Sequence, residues 1–202
     1  MIEFIISGKK EVGKTLFMLQ FADYIAAENG FDCVYKSDTG VQLRKISDSG
    51  SIMDIYNKGI RKNSLPYSVT MYDKSQKKVY KFTDTYSLRD IIPNNHQQRK
   101  HIRETLRTII ESNNIIHLID HNYINKKCLD TIDNELYNIG RHKSFYMLLL
   151  NKTDISNTMI KYPDFQKKIK LSILPISAKY KEGFFHVYQQ IKSYCEAPAI
   201  SR

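Results

Sequence analysis

Gly8-Lys9-Lys10-Glu11-Val12-Gly13-Lys14-Thr15 stands between an apolar run, Ile2–Ile6, and an amphipathic stretch, Thr15–Asn29. Two glycines five residues apart, followed at once by lysine and a hydroxyl residue and set between strand and helix, constrain this chain more than any other feature. Such a turn presents successive backbone N–H groups, and the helix behind it adds the positive end of its dipole. The pattern therefore calls for an anion, and for phosphate oxygens in particular. Lys14 would reach the terminal phosphates, and the Thr15 hydroxyl would ligate Mg²⁺. A loop of this kind also needs a strand ending beneath it, which puts the ligand at the carboxyl end of a sheet.

The rest of the chain supplies that sheet. Ile115–Ile119, Phe145–Leu150 and Leu171–Ile176 are strand-sized apolar runs, and Tyr67–Tyr72 and Lys78–Thr83 alternate at period two about the polar turn Asp73-Lys-Ser-Gln-Lys, a hairpin signal. Between them, helical spacing places Ile102, Leu106, Ile109 and Ile110 on one side of Gln97–Glu111. It does the same for Leu129, Ile132, Leu136 and Ile139 in Lys126–Ile139, and more weakly for Asn157–Lys168. A last helix, Gly183–Glu196, turns Phe184, Val187 or Tyr188, Ile191 and Tyr194 inward. This order implies an α/β fold: a six-stranded, mostly parallel sheet with helices on both faces and one antiparallel edge strand. Phe31–Tyr35 is a further short strand candidate. The polar stretch that follows, about 36–66, holds Gly40, Gly50 and Gly59 and reads as an insertion or mobile loop within a single domain over 1–202, with a faint helical pattern at Ile52–Ile60.

Composition narrows the setting. No apolar run nears the roughly 20 residues of a membrane span. Cys33, Cys128 and Cys195 are odd in number and scattered, which suits a reduced, cytoplasmic compartment better than a disulfide framework or a zinc site. The net charge of +10 leaves room for an acidic partner such as RNA. Two basic stripes would be its footprint: Arg99, Lys100, Arg103 and Arg107 on a helix, and Lys74, Lys77, Lys78 and Lys81 on the hairpin. Each is also an ordinary solvated face.

Two strand ends carry further motifs. Phe145–Leu150 runs into Asn151-Lys152-Thr153-Asp154, and the last strand runs into Ser177-Ala178-Lys179. With the phosphate loop after the first strand, this set resembles the guanine-reading motifs of small Ras-like and Era-like GTPases, within the P-loop GTPase superfamily, and the order of elements matches along nearly the whole chain. The resemblance implies a three-layer P-loop NTPase fold, GTP or GDP with Mg²⁺ as ligand, and an effector or regulator protein at two switch segments, Lys36–Tyr67 and Thr85–Gln98. Gly8, Lys9, Lys10, Glu11, Val12, Gly13, Lys14 and Thr15 would hold the phosphates. Asn151, Lys152, Asp154, Ser177, Ala178 and Lys179 would hold the base. Lys14, Thr15 and Asp84 would act in catalysis, with Thr15 and Asp84 on the metal side. The chemistry agrees: the Asp154 carboxylate can accept both N1–H and the exocyclic amine of guanine, a donor pair that adenine lacks. Asn151 would serve the N7 side, the Lys152 stem would lie along the base plane, and the Ala178 amide would donate to O6.

The chain departs from that family at Asp84-Thr85-Tyr86-Ser87-Leu88. Ser87 replaces a glycine whose N–H meets the γ-phosphate, Leu88 replaces a glutamine that orients the attacking water, and Lys10 replaces a small residue. These departures leave binding intact and imply slow hydrolysis. A non-hydrolysing GTP/GDP-binding module is the alternative, and a kinase or ATPase sharing only the phosphate loop is a second rival. Asn94, Asn95, His96, Gln97 and Gln98 form a polar run in the second switch, which reads either as a source of the group that some relatives recruit in place of that glutamine or, more simply, as the capped start of a helix. Ser64, Ser68 and Thr70 all stand where the first switch would supply a Mg²⁺ ligand. His117 and His121 flank Asp120 without a third converging metal ligand in the sequence pattern.

Overall fold

In the computed structural model, which describes residues 1–36, 68–89, 93–122, 128–155, 158–169 and 172–197, the elements run β1 (Ile2–Gly8), α1 (Lys14–Asn29), β2 (Asp32–Lys36), β3 (Ser68–Asp73), β4 (Lys78–Asp84), α2 (His96–Glu111), β5 (Asn114–Asp120), α3 (Thr131–Gly140), β6 (Phe145–Asn151), α4 (Thr158–Ile169), β7 (Ile173–Pro175) and α5 (Phe184–Glu196). The strands form one sheet in the order β2-β3-β4-β1-β5-β6-β7. From β4 to β7 every pairing is parallel, and β2–β3 and β3–β4 are antiparallel. The mostly parallel sheet with an antiparallel edge is therefore present, with seven strands in place of six. The seventh is β2, whose Cys33 and Val34 pair with Met71 and Thr70 and carry the sheet one strand beyond the hairpin.

Alternation at period two decides which helices cover which face. On one face Phe4 and Ile6 of β1, Phe82 of β4, Ile116 and Leu118 of β5, and Met147 and Leu149 of β6 join Phe17, Phe21 and Ile25 of α1 and Phe184, Val187 and Ile191 of α5. Aromatic rings dominate there. Phe21 meets Phe82 and Phe184 edge-on at centroid distances of 5.8 and 5.4 Å, an arrangement that adds to the area buried. On the other face Ile115, Ile109 and Leu136 pack with Leu88, while Ile119, Leu148, Leu150 and Ile173 pack under Phe165 of α4.

Several expected boundaries shift for physical reasons. Burial in α1 runs round the helix through Phe17, Met18, Leu19, Gln20, Phe21 and Ala22 instead of following one stripe, because α1 lies between the sheet and α5. The helix expected over Lys126–Ile139 begins at Thr131. Asp130 has extended backbone and accepts the Asp133 N–H, an N-cap that fixes the start. The last strand shortens to β7, although the Ile176 N–H still donates to the Leu150 carbonyl at 2.8 Å. The stretch 37–67, with its insertion reading, the Ile52–Ile60 pattern, Ser64 and most of the first switch, lies outside the described residues. Ser68 and Thr70 are built into β3.

Cys33 tests this packing without perturbing it. It is buried between β2 and α1, with its thiol donating to the Ala22 carbonyl, and burial together with the Asp23 and Asp32 charges pushes it up to about 12. Cys128 is exposed. Alkylation at pH 8 followed by peptide mass spectrometry should modify Cys128 in the native protein and reach Cys33 only after denaturation. Equal labelling of the two would contradict the edge packing.

Candidate functional site

Backbone geometry dictates the glycines of the phosphate loop. Gly8 has φ +145°, and a Cβ there would stand 2.3 Å from the Leu118 carbonyl oxygen. Gly13 has φ +93°, and its Cβ would stand 2.5 Å from Asn151 Nδ2. Both positions exclude a side chain by conformation and by space. α1 starts directly behind, the Phe17 N–H donating to the Gly13 carbonyl at 2.8 Å. Lys14 is buried, and its Nζ donates to the Lys9 carbonyl and to Ser87 Oγ, each at 2.9 Å. An ammonium has three donors, so the third is available to an anion over the loop. Burial lowers the Lys14 pKa, and the carboxylates of Asp84 and Asp133 oppose that shift.

Asp84 ends β4 beside this lysine. Its Oδ2 accepts from the Thr15 hydroxyl, while its Oδ1 is buried and has no hydrogen-bond partner among the described residues. Burial pushes the carboxyl up to about 6, against the pull of Lys14 and of the Thr15 bond. A buried carboxylate oxygen lacking a donor, next to a helix-start hydroxyl, is a set of hard oxygens that suits Mg²⁺ or a water of its shell. The residues present fit the metal.

The base-side loops close on the same rim. Asn151, at the end of β6, donates from Nδ2 to the Val12 carbonyl at 2.8 Å and accepts from the Ala178 N–H at 2.9 Å. One side chain thus ties together the phosphate loop, Asn-Lys-x-Asp and Ser-Ala-Lys. The Ala178 amide expected to face guanine O6 donates to Asn151, which leaves the second Nδ2 hydrogen of Asn151 for a base. Asp154 is exposed, and its Oδ1 accepts from the buried Ser177 hydroxyl at 2.7 Å. Lys152 takes φ +66°, sparsely populated for a residue with a Cβ, and its Nζ lies 3.4 Å from Asp120. Lys179 is exposed, with its Nζ 4.7 Å above the Tyr180 ring.

The segment after Asp84 is braced. The Thr85 N–H and hydroxyl both donate to the Ile6 carbonyl, at 3.2 and 2.9 Å. The Leu88 N–H donates to Gly8 at 3.4 Å, and the Leu88 carbonyl accepts from the Lys10 N–H at 3.3 Å. The Leu88 side chain is buried with Ile109, Ile115 and Leu136. Tyr86 stacks on His101 with ring centroids 5.4 Å apart. Asn95 caps α2, accepting from the Gln97 and Gln98 N–H groups, so the polar run holds the start of a helix.

Three arrangements have no local sequence signature. Lys9 Nζ pairs with Asp130 at 2.6 Å, tying the loop to the cap of α3. The Ser87–Lys14 bond spans 73 residues. His117 is fully buried, with Nε2 2.8 Å from Asp133 and Nδ1 2.8 Å from the Tyr146 hydroxyl, so it is a core histidine with both nitrogens partnered. The basic stripes break up in space. Lys100 and Arg107 lie against Glu104 and Glu111, and Lys74 and Lys81 against Asp32 and Glu3.

No protein-family model and no curated sequence matches the chain. Solved structures do match. A probable GTP-binding protein EngB aligns over 98% of this chain and 100% of its own at 13% identity and TM-score 0.56. The G domain of the T. maritima FeoB iron transporter aligns over 97% and 99% at 13% identity and TM-score 0.52. Aquifex aeolicus Era, bound to GDP and AlF4⁻, aligns over 95% of this chain and 56% of its own at 15% identity and TM-score 0.55. The chain has the P-loop GTPase fold.

The Asn151 tie makes a stability prediction. Asn151→Ala leaves the Val12 carbonyl and the Ala178 N–H without their partner, and should lower unfolding free energy by roughly 2–4 kcal/mol in urea titration. A loss below about 0.5 kcal/mol would mean that the loops are held together by something else.

Proposed function

We propose that the protein binds GTP and GDP together with Mg²⁺ and hydrolyses GTP slowly, with the terminal phosphate acting on the segments 36–67 and 85–98 to set how an effector or regulator protein binds. The observation that carries this reading is the double hydrogen bond of Asn151, at 2.8 and 2.9 Å, which joins a phosphate-binding loop to two loops with guanine-reading composition. Within that rim Asp154, steadied by Ser177, has the acceptor pair that guanine's edge requires, and adenine offers it no matching donors. Era and FeoB, which share the fold, were solved with GDP and AlF4⁻ and in a GMPPNP form.

Thr15 and Asp84 would hold Mg²⁺, which when bound neutralises phosphate charge and orients the transferring group. Lys14 spreads its remaining donor over the terminal phosphates. The helix dipole and loop N–H groups hold the rest. No side chain in the braced segment resembles a water-positioning glutamine, since Leu88 is held in the core. That same burial favours the alternative reading, a module that binds GTP or GDP without hydrolysing it.

Single-turnover phosphate release separates the two. A slow GTPase should release phosphate above the buffer rate, at a rate constant on the order of 10⁻⁴ s⁻¹. Release at the buffer rate, with or without cell extract, leaves the non-hydrolysing module. Leu88→Gln should change the rate less than about threefold while lowering stability by about 1–3 kcal/mol, because the amide would enter an apolar cluster. Asp154→Asn should cost about tenfold or more in preference for GDP over ADP. An unchanged preference would remove Asp154 from base recognition.

A cytoplasmic setting and an RNA partner belong to the same proposal. Among the described residues no helix is long and apolar enough to cross a membrane. Era has been solved with a 16S rRNA segment. Here the support is the charge of +10 and the Arg99 and Arg103 guanidinium groups, which have no carboxylate partner among the described residues.

A further inference from the structure

We infer that Asp130 is a positioning residue for phosphate binding: fixed at the head of α3, it grips the Lys9 side chain and so steadies the Lys9 carbonyl that orients the Lys14 ammonium. This rests on the guanine-nucleotide reading above and adds a residue that lies outside the phosphate loop, the base-side loops and both switch segments.

Lys9 is engaged at both ends. Its carbonyl accepts from Lys14 Nζ at 2.9 Å, and its own Nζ lies 2.6 Å from Asp130 Oδ2. The two side chains are only 19% and 23% exposed, so water and salt screen this pair less than one on the open surface. Asp130 itself is held. Its Oδ1 accepts the Asp133 N–H at 3.2 Å and its carbonyl accepts the Asn134 N–H at 2.8 Å, which ties the residue to the first turn of α3. The helix is pinned to the sheet in turn, since fully buried Asp133 lies 2.8 Å from His117 Nε2 and Leu136 packs with Ile109 and Ile115. A fixed carboxylate therefore holds Lys9 from the α3 side, while the Leu88 carbonyl accepts the neighbouring Lys10 N–H. Asn151 grips the same loop further on, at Val12. With Lys9 and Val12 both anchored, the carbonyl beneath Lys14 keeps its place before a phosphate arrives, and binding is spared the cost of ordering the turn. Charge alone would act in the opposite direction. A carboxylate near a phosphate repels it, so its removal would tighten nucleotide binding if Asp130 served only as a charge, whereas a positioning role makes the same removal weaken it.

Asp130→Asn and Asp130→Ser both keep an oxygen to cap α3 and both lose the charged grip on Lys9. Titrated with fluorescent GDP and a fluorescent non-hydrolysable GTP analogue in Mg²⁺, each variant should bind both ligands about fivefold more weakly than the wild type, with the preference for GDP over ADP unchanged. Lys9→Met should weaken both ligands as well. In that background Asp130→Asn should cost less than about 1.5-fold more, because the carboxylate acts through the ammonium. Lys9→Arg, which keeps the ion pair, should stay within about twofold of the wild type. A merely structural role for Asp130 would show the same loss whether or not Lys9 is present. Unchanged or tighter binding in the two Asp130 variants overturns the inference, as does a full fivefold loss from Asp130→Asn in the Lys9→Met background. A wild type that binds neither nucleotide removes the guanine-nucleotide reading and the inference with it, whereas a wild type that binds both, with Asp130 variants that match it, removes only the role of Asp130.

Discussion

The Asn151 side chain, caught between the Val12 carbonyl and the Ala178 N–H, is the interaction on which the site depends. The three loops leave three different strands and share no covalent neighbour within more than twenty residues. Their register against one another is set where a planar amide, with a donor and an acceptor in fixed geometry, bridges two of them from the third. Gly13 has no Cβ because that amide sits against it. The position of the two later loops relative to the phosphate loop therefore follows from one side chain's bonding geometry.

Across β1 the site is held differently. There the chain after β4 is laid along the phosphate loop by paired backbone bonds, with Leu88 buried beneath and Ser87 turned toward Lys14. Two buried ionisable groups, Lys14 and Asp84, stand beside each other at this end, and burial shifts each toward its neutral form. A phosphate and a divalent ion are the partners that would satisfy both. The base side is tied by a neutral amide, whereas at the phosphate side Lys14 keeps one donor and Asp84 one oxygen unused among the described residues, so a ligand would act mainly at the second.

Much of this was legible in the sequence where the signal was local. Gly8-x-x-x-x-Gly13-Lys14-Thr15 announced a strand, a turn and a helix, and period-two and helical spacing located the hairpin and most helices. Apolar spacing alone starts α3 too early, because it continues upstream through Leu129 while the backbone obeys the Asp130 cap. β2 escapes a count of strands by pattern because a five-residue edge strand has little pattern of its own until its partner is known. Ser87 and Leu88 could be seen to differ from the family, but their placement could not be foreseen. A contact between Ser87 and Lys14, like that between Lys9 and Asp130, depends on tertiary register and leaves no periodicity behind.

Equilibrium competition of GDP against ADP, in the presence of Mg²⁺, bears most directly on the central claim that one hydrogen-bonded rim grips a phosphate tail and reads a guanine edge. The account requires GDP to displace a bound fluorescent guanine nucleotide at concentrations at least about tenfold below those of ADP. Equal displacement by the two, or binding of neither, would contradict it.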